Sequence, residues 1–167
     1  MKKVIVLFLT IILTSSITVL AQETPVLRAG VLMVESVPKQ FFGTWSVQSV
    51  QVSTDSPKTF AKTSMDLWNL RRSGNVIELR NPVTAAVAEI YLEDVTDNEI
   101  TFTHYEKEGY TDIKDTVKLK LDGNTFIGTN ELILKTVRYG ETGKKFEEVK
   151  KAVYSLRGSK LSGSGIF

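Results

Sequence analysis

The chain has 167 residues, no cysteine and one histidine, with 21 Lys and Arg against 19 Asp and Glu. Disulfides are excluded, and a single histidine cannot build a multi-histidine metal centre. So small a net charge gives no electrostatic reason to seek nucleic acid or anionic lipid.

Lys2 and Lys3 precede an apolar run from Val4 to Leu13 that only Thr10 interrupts. The polar patch Thr14-Ser15-Ser16 and then Val19-Leu20-Ala21 follow, with small residues where a signal peptidase needs them. Residues 1–21 read as a signal peptide, with Gln22 the first mature residue. The rival, a retained anchor, would need an apolar span of about 20 residues. Cleavage removes two lysines and leaves 19 basic against 19 acidic residues. No cysteine follows the cleavage site to carry a lipid. The product is expected to be soluble in a periplasm or secreted, with no membrane span. Residues 22–40 form a lead-in bracketed by Pro25 and Pro38. Its apolar patch, Val31-Leu32-Met33-Val34, either covers one end of the core, adds an edge strand or frays.

Residues 41–167 read as one domain in which alternation is broken by turns. Trp45 and Val47 share one parity and Val50 and Val52 the other, which predicts a bulge near Gln48-Ser49. Residues 53–64 form a polar loop with Pro57. Met65 to Arg72 is a strand, with Met65 and Leu67 on one side and Trp68 and Leu70 on the other. Ser73-Gly74-Asn75 turns the chain into a strand over Val76 to Arg80, which Asn81-Pro82 ends. Ala86 to Val95 alternates with period two. Its alanines also suit a helix from Thr84 to Leu92, but the period favours a strand. Asp97-Asn98 turns, and Ile100, Phe102 and His104 then share one face. The charged stretch 106–115 reads as a loop. Val117, Leu119 and Leu121 alternate up to the Asp122-Gly123 hairpin signal, and Phe126, Leu132 and Leu134 return on one parity. Phe146 to Lys151 suits a helical turn, Ala152 to Arg157 a strand, Gly158-Ser159-Lys160 a turn, and Leu161 to Phe167 a closing segment.

Sequential hairpins without βαβ spacing predict an all-β domain of about eight to ten antiparallel strands, by the usual hairpin reading. An up-and-down barrel removes exposed edges and is preferred, with a two-sheet β-sandwich as the alternative.

At Phe42-Gly43-Thr44-Trp45 the chain resembles the lipocalin and fatty-acid-binding protein group, the calycins, whose first strand opens on Gly-x-Trp. The resemblance implies that Gly43 and Trp45 close one end of the barrel. It implies that an arginine of the last strand, matched by Arg157, packs over the tryptophan ring. It also implies that the turn from Pro38 to Phe42 is a lid. The chain departs from the group in lacking the later Thr-Asp-Tyr segment and the paired helices after the first strand.

For function, a barrel reading turns His104 inward beside Phe102, as a polar anchor for a ligand lined by Phe126, Leu132 and Trp68. The rival reading makes His104 an ordinary polar side chain and Trp45 plain core. No nucleophile elbow, phosphate-cradling loop or calcium-loop spacing is present, so no catalysis, metal or cofactor is expected. The expectation is an exported, lipocalin-like binder of a small apolar or amphipathic molecule. The alternative is a non-enzymatic interaction domain with a filled core and a protein partner. A lipid-facing outer-membrane barrel would suit the length, but Val76-Glu78-Arg80 and Phe102-His104-Glu106 break its apolar band.

Overall fold

The computed structural model describes residues 33–140, 143–163 and 165–166. Residues 1–21, expected to be a signal peptide, and the start of the lead-in lie outside them. A 3-10 turn (Lys39–Phe41) leads into eight strands: β1 (Gly43–Thr54), β2 (Thr63–Ser73), β3 (Val76–Arg80), β4 (Val87–Val95), β5 (Glu99–Glu108), β6 (Thr111–Asp122), β7 (Thr125–Tyr139) and β8 (Lys145–Ser162). Each pairs antiparallel with the next, and β1 pairs with both β2 and β8. The ring is therefore closed, and the fold is an up-and-down barrel rather than a sandwich. A short β9 (Gly165–Ile166) lies parallel to β2 at Arg71 and Arg72.

Pairing puts directly opposed residues on one face, so register identifies the interior. Trp45 opposes Trp68, Ile77 opposes Ile90, Phe102 opposes Val117, and Leu121 opposes Phe126. With Val47, Leu70, Ile100, Leu119 and Leu156 these positions make a core that is buried except for the half-covered Trp68 and Leu121. Each such side chain contributes about 1.5–3 kcal/mol when fully buried. All of it occupies the half of the barrel that holds the start of β1. There the lead-in closes the end: Val37, Phe41 and Phe42 join the core and Val34 packs against it. Trp45 Nε1 donates to the Phe41 carbonyl at 2.8 Å, which fixes the turn against the ring. Of the apolar patch, Met33 and Val34 are described: neither lies in a strand, and Val34 packs on the core end.

Gly43 has a mechanical reason to be glycine. Its φ is +127°, and a Cβ there would stand 1.8 Å from the Gly163 carbonyl oxygen. The chain's return past the first strand leaves no room for a side chain.

The alternating segment at 84–95 is strand β4, not a helix. Four sequence expectations change. The 106–115 stretch is no loop: β5 and β6 run through it and turn at Gly109-Tyr110, with Gly109 at φ +58°. Charge did not mark a loop because both faces are wet where this hairpin rises past the core. The 146–151 helical turn is instead the start of β8, paired from Tyr139↔Lys145 onward. Its charges are cross-strand partners, as in Lys135–Glu147 at 3.0 Å and Arg138–Glu148 at 3.2 Å. Gly158 is not in a turn but within β8, opposite Phe126. Lastly, β1 runs unbroken against β2 past Gln48 and Ser49, and its irregularities against β8 fall at Thr44/Trp45 and Gln51/Ser53. Val50 and Val52 need no bulge to bury them, because they face out, 42% and 66% exposed.

Outward positions include Glu78, Glu89, Glu99, Lys118 and Arg157, beside the inward Ile77, Ala88, Ile100, Val117 and Leu156. A lipid-facing band does not carry charge at that density. No helix among the described residues is long and apolar enough to cross a membrane.

Candidate ligand-binding cleft

Above the core the inward positions turn polar. Along β1 the inward series runs Trp45, Val47, Ser49, Gln51, and along β2 it runs Leu70, Trp68, Asp66, Ser64. Along β5 and β6 Phe102 and Val117 are succeeded by His104 and Asp115. The mouth is roofed on one side by loop 55–62. The inward side chains of Gln51 and Tyr154 both donate to the Ala61 carbonyl, at 3.5 and 3.1 Å, and Phe60 is buried in the loop.

On the other side lies an open cleft of about 460 Å³. Its walls are Asp66 and Trp68 of β2, Leu79 and Arg80 of β3, Ala86 to Glu89 at the start of β4, and His104 to Glu106 of β5. The space exists because Ala86 and Ala88 are small and because β4 and β5 part company. Their ladder runs only from Val95↔Ile100 to Tyr91↔Thr103. Beyond it β4 stays with β3 and β5 stays with β6.

One wall is held rigid. Asp66 accepts from Trp68 Nε1 at 3.1 Å, from its neighbour's backbone N–H at 2.8 Å, and from Asn81 Nδ2. Asn81 Oδ1 in turn accepts the N–H groups of Val83 and Thr84, which shapes the β3–β4 turn. That turn carries Ala85 at φ +60°, a left-handed conformation costly for a residue with a Cβ.

The other wall rests on a polar triplet. His104 Nδ1 lies 3.6 Å from Asp115 Oδ2, and Asn130 Nδ2 donates to Asp115 Oδ1 at 3.3 Å. Burial pushes the Asp115 carboxyl above its ordinary range, against the lowering pull of Asn130 and His104. Asn130 Oδ1 is itself buried without a hydrogen-bond partner. Among the described residues no group of three His, Cys, Asp or Glu is placed to hold a metal ion.

The residues singled out from the sequence separate into three places. Trp68 and His104 both line the cleft. Phe102 and Phe126 lie beneath it in the packed core, with only about 10 Å³ of void between them and the tryptophans. Leu132 is inward and half-buried, opposite Asp115 on one side and Ala152 on the other.

Gly43 and Trp45 stand at the closed end, but Arg157 does not cover Trp45. It opposes Gln48 and Ile127 on the outside of the barrel and is exposed. Lys160 does instead: it opposes Trp45, its Nζ is 5.1 Å from the ring centre, and it donates to the Gln40 carbonyl at 2.7 Å. Burial there pulls the lysine below its ordinary range. Continuous β8 explains the exchange: with no turn at 158–160, the parity of Leu156 and Gly158 carries Lys160 inward.

Sequence reasoning missed Asp66, Asn81 and Asp115. Asp66 shares parity with Trp68 and Asp115 with Val117, which was legible. Asn81 reaches the site only through the fold of its turn.

Fold and cleft together define a closed eight-stranded antiparallel barrel, filled at one end and cleft-bearing at the other. No family model, curated protein or solved structure matches the chain.

Proposed function

We propose that this chain is an exported, lipocalin-like barrel that binds a small amphipathic molecule in the cleft between β4 and β5. The observation that carries the reading is the placement of Trp68 and His104 on facing walls of an open space, above a core with no room for a ligand. An indole face offers apolar area and an imidazole offers a polar anchor, the mixture that small-molecule sites use. The packed core argues for a ligand that sits at the mouth rather than a long hydrocarbon swallowed whole. The leader-like residues 1–21 support export. The chain's own residues suggest no reaction, so the role is carriage or sensing rather than turnover.

Native mass spectrometry of protein from its own host is the test. The expected result is a mature chain beginning at Gln22 with a retained small molecule that quenches Trp68. A chain that retains nothing, and whose Trp68 emission no amphiphile changes, would overturn the proposal.

A second reading, contact with a protein partner, is favoured by one feature. The tips of the two tall hairpins expose Tyr110, Tyr139 and Phe146, with Tyr110 and Tyr139 in edge contact at 6.4 Å. Clustered exposed aromatics of this kind are common at interfaces. Replacing Tyr110 and Tyr139 by serine separates the readings: it abolishes a partner complex but leaves small-molecule retention unchanged.

A further inference from the structure

The geometry points to a short extended peptide, carrying basic side chains, as the ligand of the β4–β5 cleft; this rests on the ligand-binding reading above. Two of the strands that wall the cleft, β4 and β5, have one edge used and one edge free there. Residues 87–90 of β4 are paired to β3, and residues 104–108 of β5 are paired to β6. Their other edges have no strand partner, because the β4–β5 ladder stops at Tyr91↔Thr103, and Val87 to Glu89 and His104 to Glu106 line the cleft. Among the described residues no loop bond covers either edge.

A strand edge presents alternating N–H and C=O groups, which need partners. Water satisfies them in the free protein. A hydrocarbon ligand would bury them unpaired, at about 1–3 kcal/mol for each group. A peptide backbone matches them group for group, as in recognition by strand addition. Four to five residues on each edge correspond to about 13–17 Å of strand, at about 3.3 Å per residue.

Side chains set the sign of the ligand. Facing the barrel interior, the cleft offers the small Ala88 together with His104 and Glu106. On the outward side it offers Glu89 with Tyr91 and Tyr105. Asp66 adds a third carboxylate on the β2 wall. The one basic side chain of the lining, Arg80, lies 3.6 Å from Glu78. A strand alternating lysine with a small apolar residue is therefore complementary on both faces, whereas an acidic strand is not.

The test uses the full mature chain and three probes. They are a capped pentapeptide alternating lysine and valine, the same peptide N-methylated along its backbone, and a dodecylammonium salt. The readouts are amide hydrogen exchange and Trp68 emission. The lysine peptide is expected to slow exchange about tenfold or more at 87–90 and 104–108, a shift of about 1.4 kcal/mol in opening. The N-methylated peptide is expected to have no effect. Exposed charge reversals, Glu89→Lys with Glu106→Lys, should transfer the protection to a glutamate–valine peptide without unfolding the barrel.

Equal binding of the N-methylated peptide would overturn the inference. Binding of dodecylammonium alone would overturn the peptide inference and leave the ligand-binding reading standing. Binding of none of the probes, with no molecule retained from the host, would remove both.

Discussion

The ring of Phe126 occupies the place where a side chain on Gly158 would be. The two residues are directly opposed on β7 and β8, and a Cβ on Gly158 would stand 2.1 Å from Phe126 Cε1. The vacancy lets Phe126 lie between the two tryptophans, 5.1 Å from Trp45 and 6.3 Å from Trp68, ring centre to ring centre. Gly158→Ala should therefore destabilise the barrel by about 1–3 kcal/mol, the usual cost of overpacking. Adding Phe126→Leu should make the alanine cheaper than it is alone, a coupling that a double-mutant cycle in urea would read. Additive effects would mean that the contact is not what excludes the side chain.

Lys160 and Arg157 make a matched contrast. Lys160 covers Trp45 and ties down the lead-in through Gln40, whereas Arg157 lies outside. Lys160→Met should cost about 1–3 kcal/mol, combining the lost cation–π contact with a charged hydrogen bond. It should also speed proteolysis around 37–42. Arg157→Ala should stay within about 0.5 kcal/mol of the parent, as surface changes do. The reverse order of effects would return the closing role to the arginine.

Asp115 gives a pH dependence of definite sign. Burial raises its carboxyl above the ordinary value of 3.8, so the folded state keeps the proton longer than the unfolded chain. Its contribution to stability is full below about pH 3.8 and is lost as pH rises through the raised value. Glu99 has the opposite sign: Lys120 and Lys118 hold it below 4.5, so its contribution is present above that pH and is lost on acidification. In urea midpoints, Asp115→Asn should gain more at pH 7 than at pH 3.5. Glu99→Gln should lose more at pH 7 than at pH 3.

The cleft makes a prediction of its own. His104→Ala and Trp68→Phe should each weaken uptake of a retained ligand by about tenfold, roughly 1.4 kcal/mol. Leu132→Ala should weaken it less, because its half-buried side chain stands outside the cleft lining. Titration followed by calorimetry distinguishes the cases, and unchanged uptake in His104→Ala would remove the anchor.

Ala85 offers a check on the cleft wall. Its left-handed backbone costs about 1–2 kcal/mol relative to an ordinary conformation, and Gly carries about 0.5–1 kcal/mol of extra unfolded-state entropy. Ala85→Gly should thus be neutral to mildly stabilising in thermal melts. Ala85→Val should be destabilising, because a β-branched residue tolerates that conformation worst.

By itself the order of residues determined the fold class, because period-two alternation between turns survives in every part of the chain whose faces differ in wetness. It placed His104 beside Phe102 inside, since parity alone decides that once the strand is granted. It did not reveal that 106–115 and 146–151 are strands, because alternation is silent where both faces meet water. Nor did it find Lys160, whose inward turn depends on Gly158 being filled by a ring from the neighbouring strand. Only the tertiary structure decided that the ring closes at β1–β8, that the phenylalanines are core beneath the site, and that β4 and β5 separate above Tyr91. Such facts depend on which strands meet and for how long, and no residue carries that information until its partner across the sheet is known.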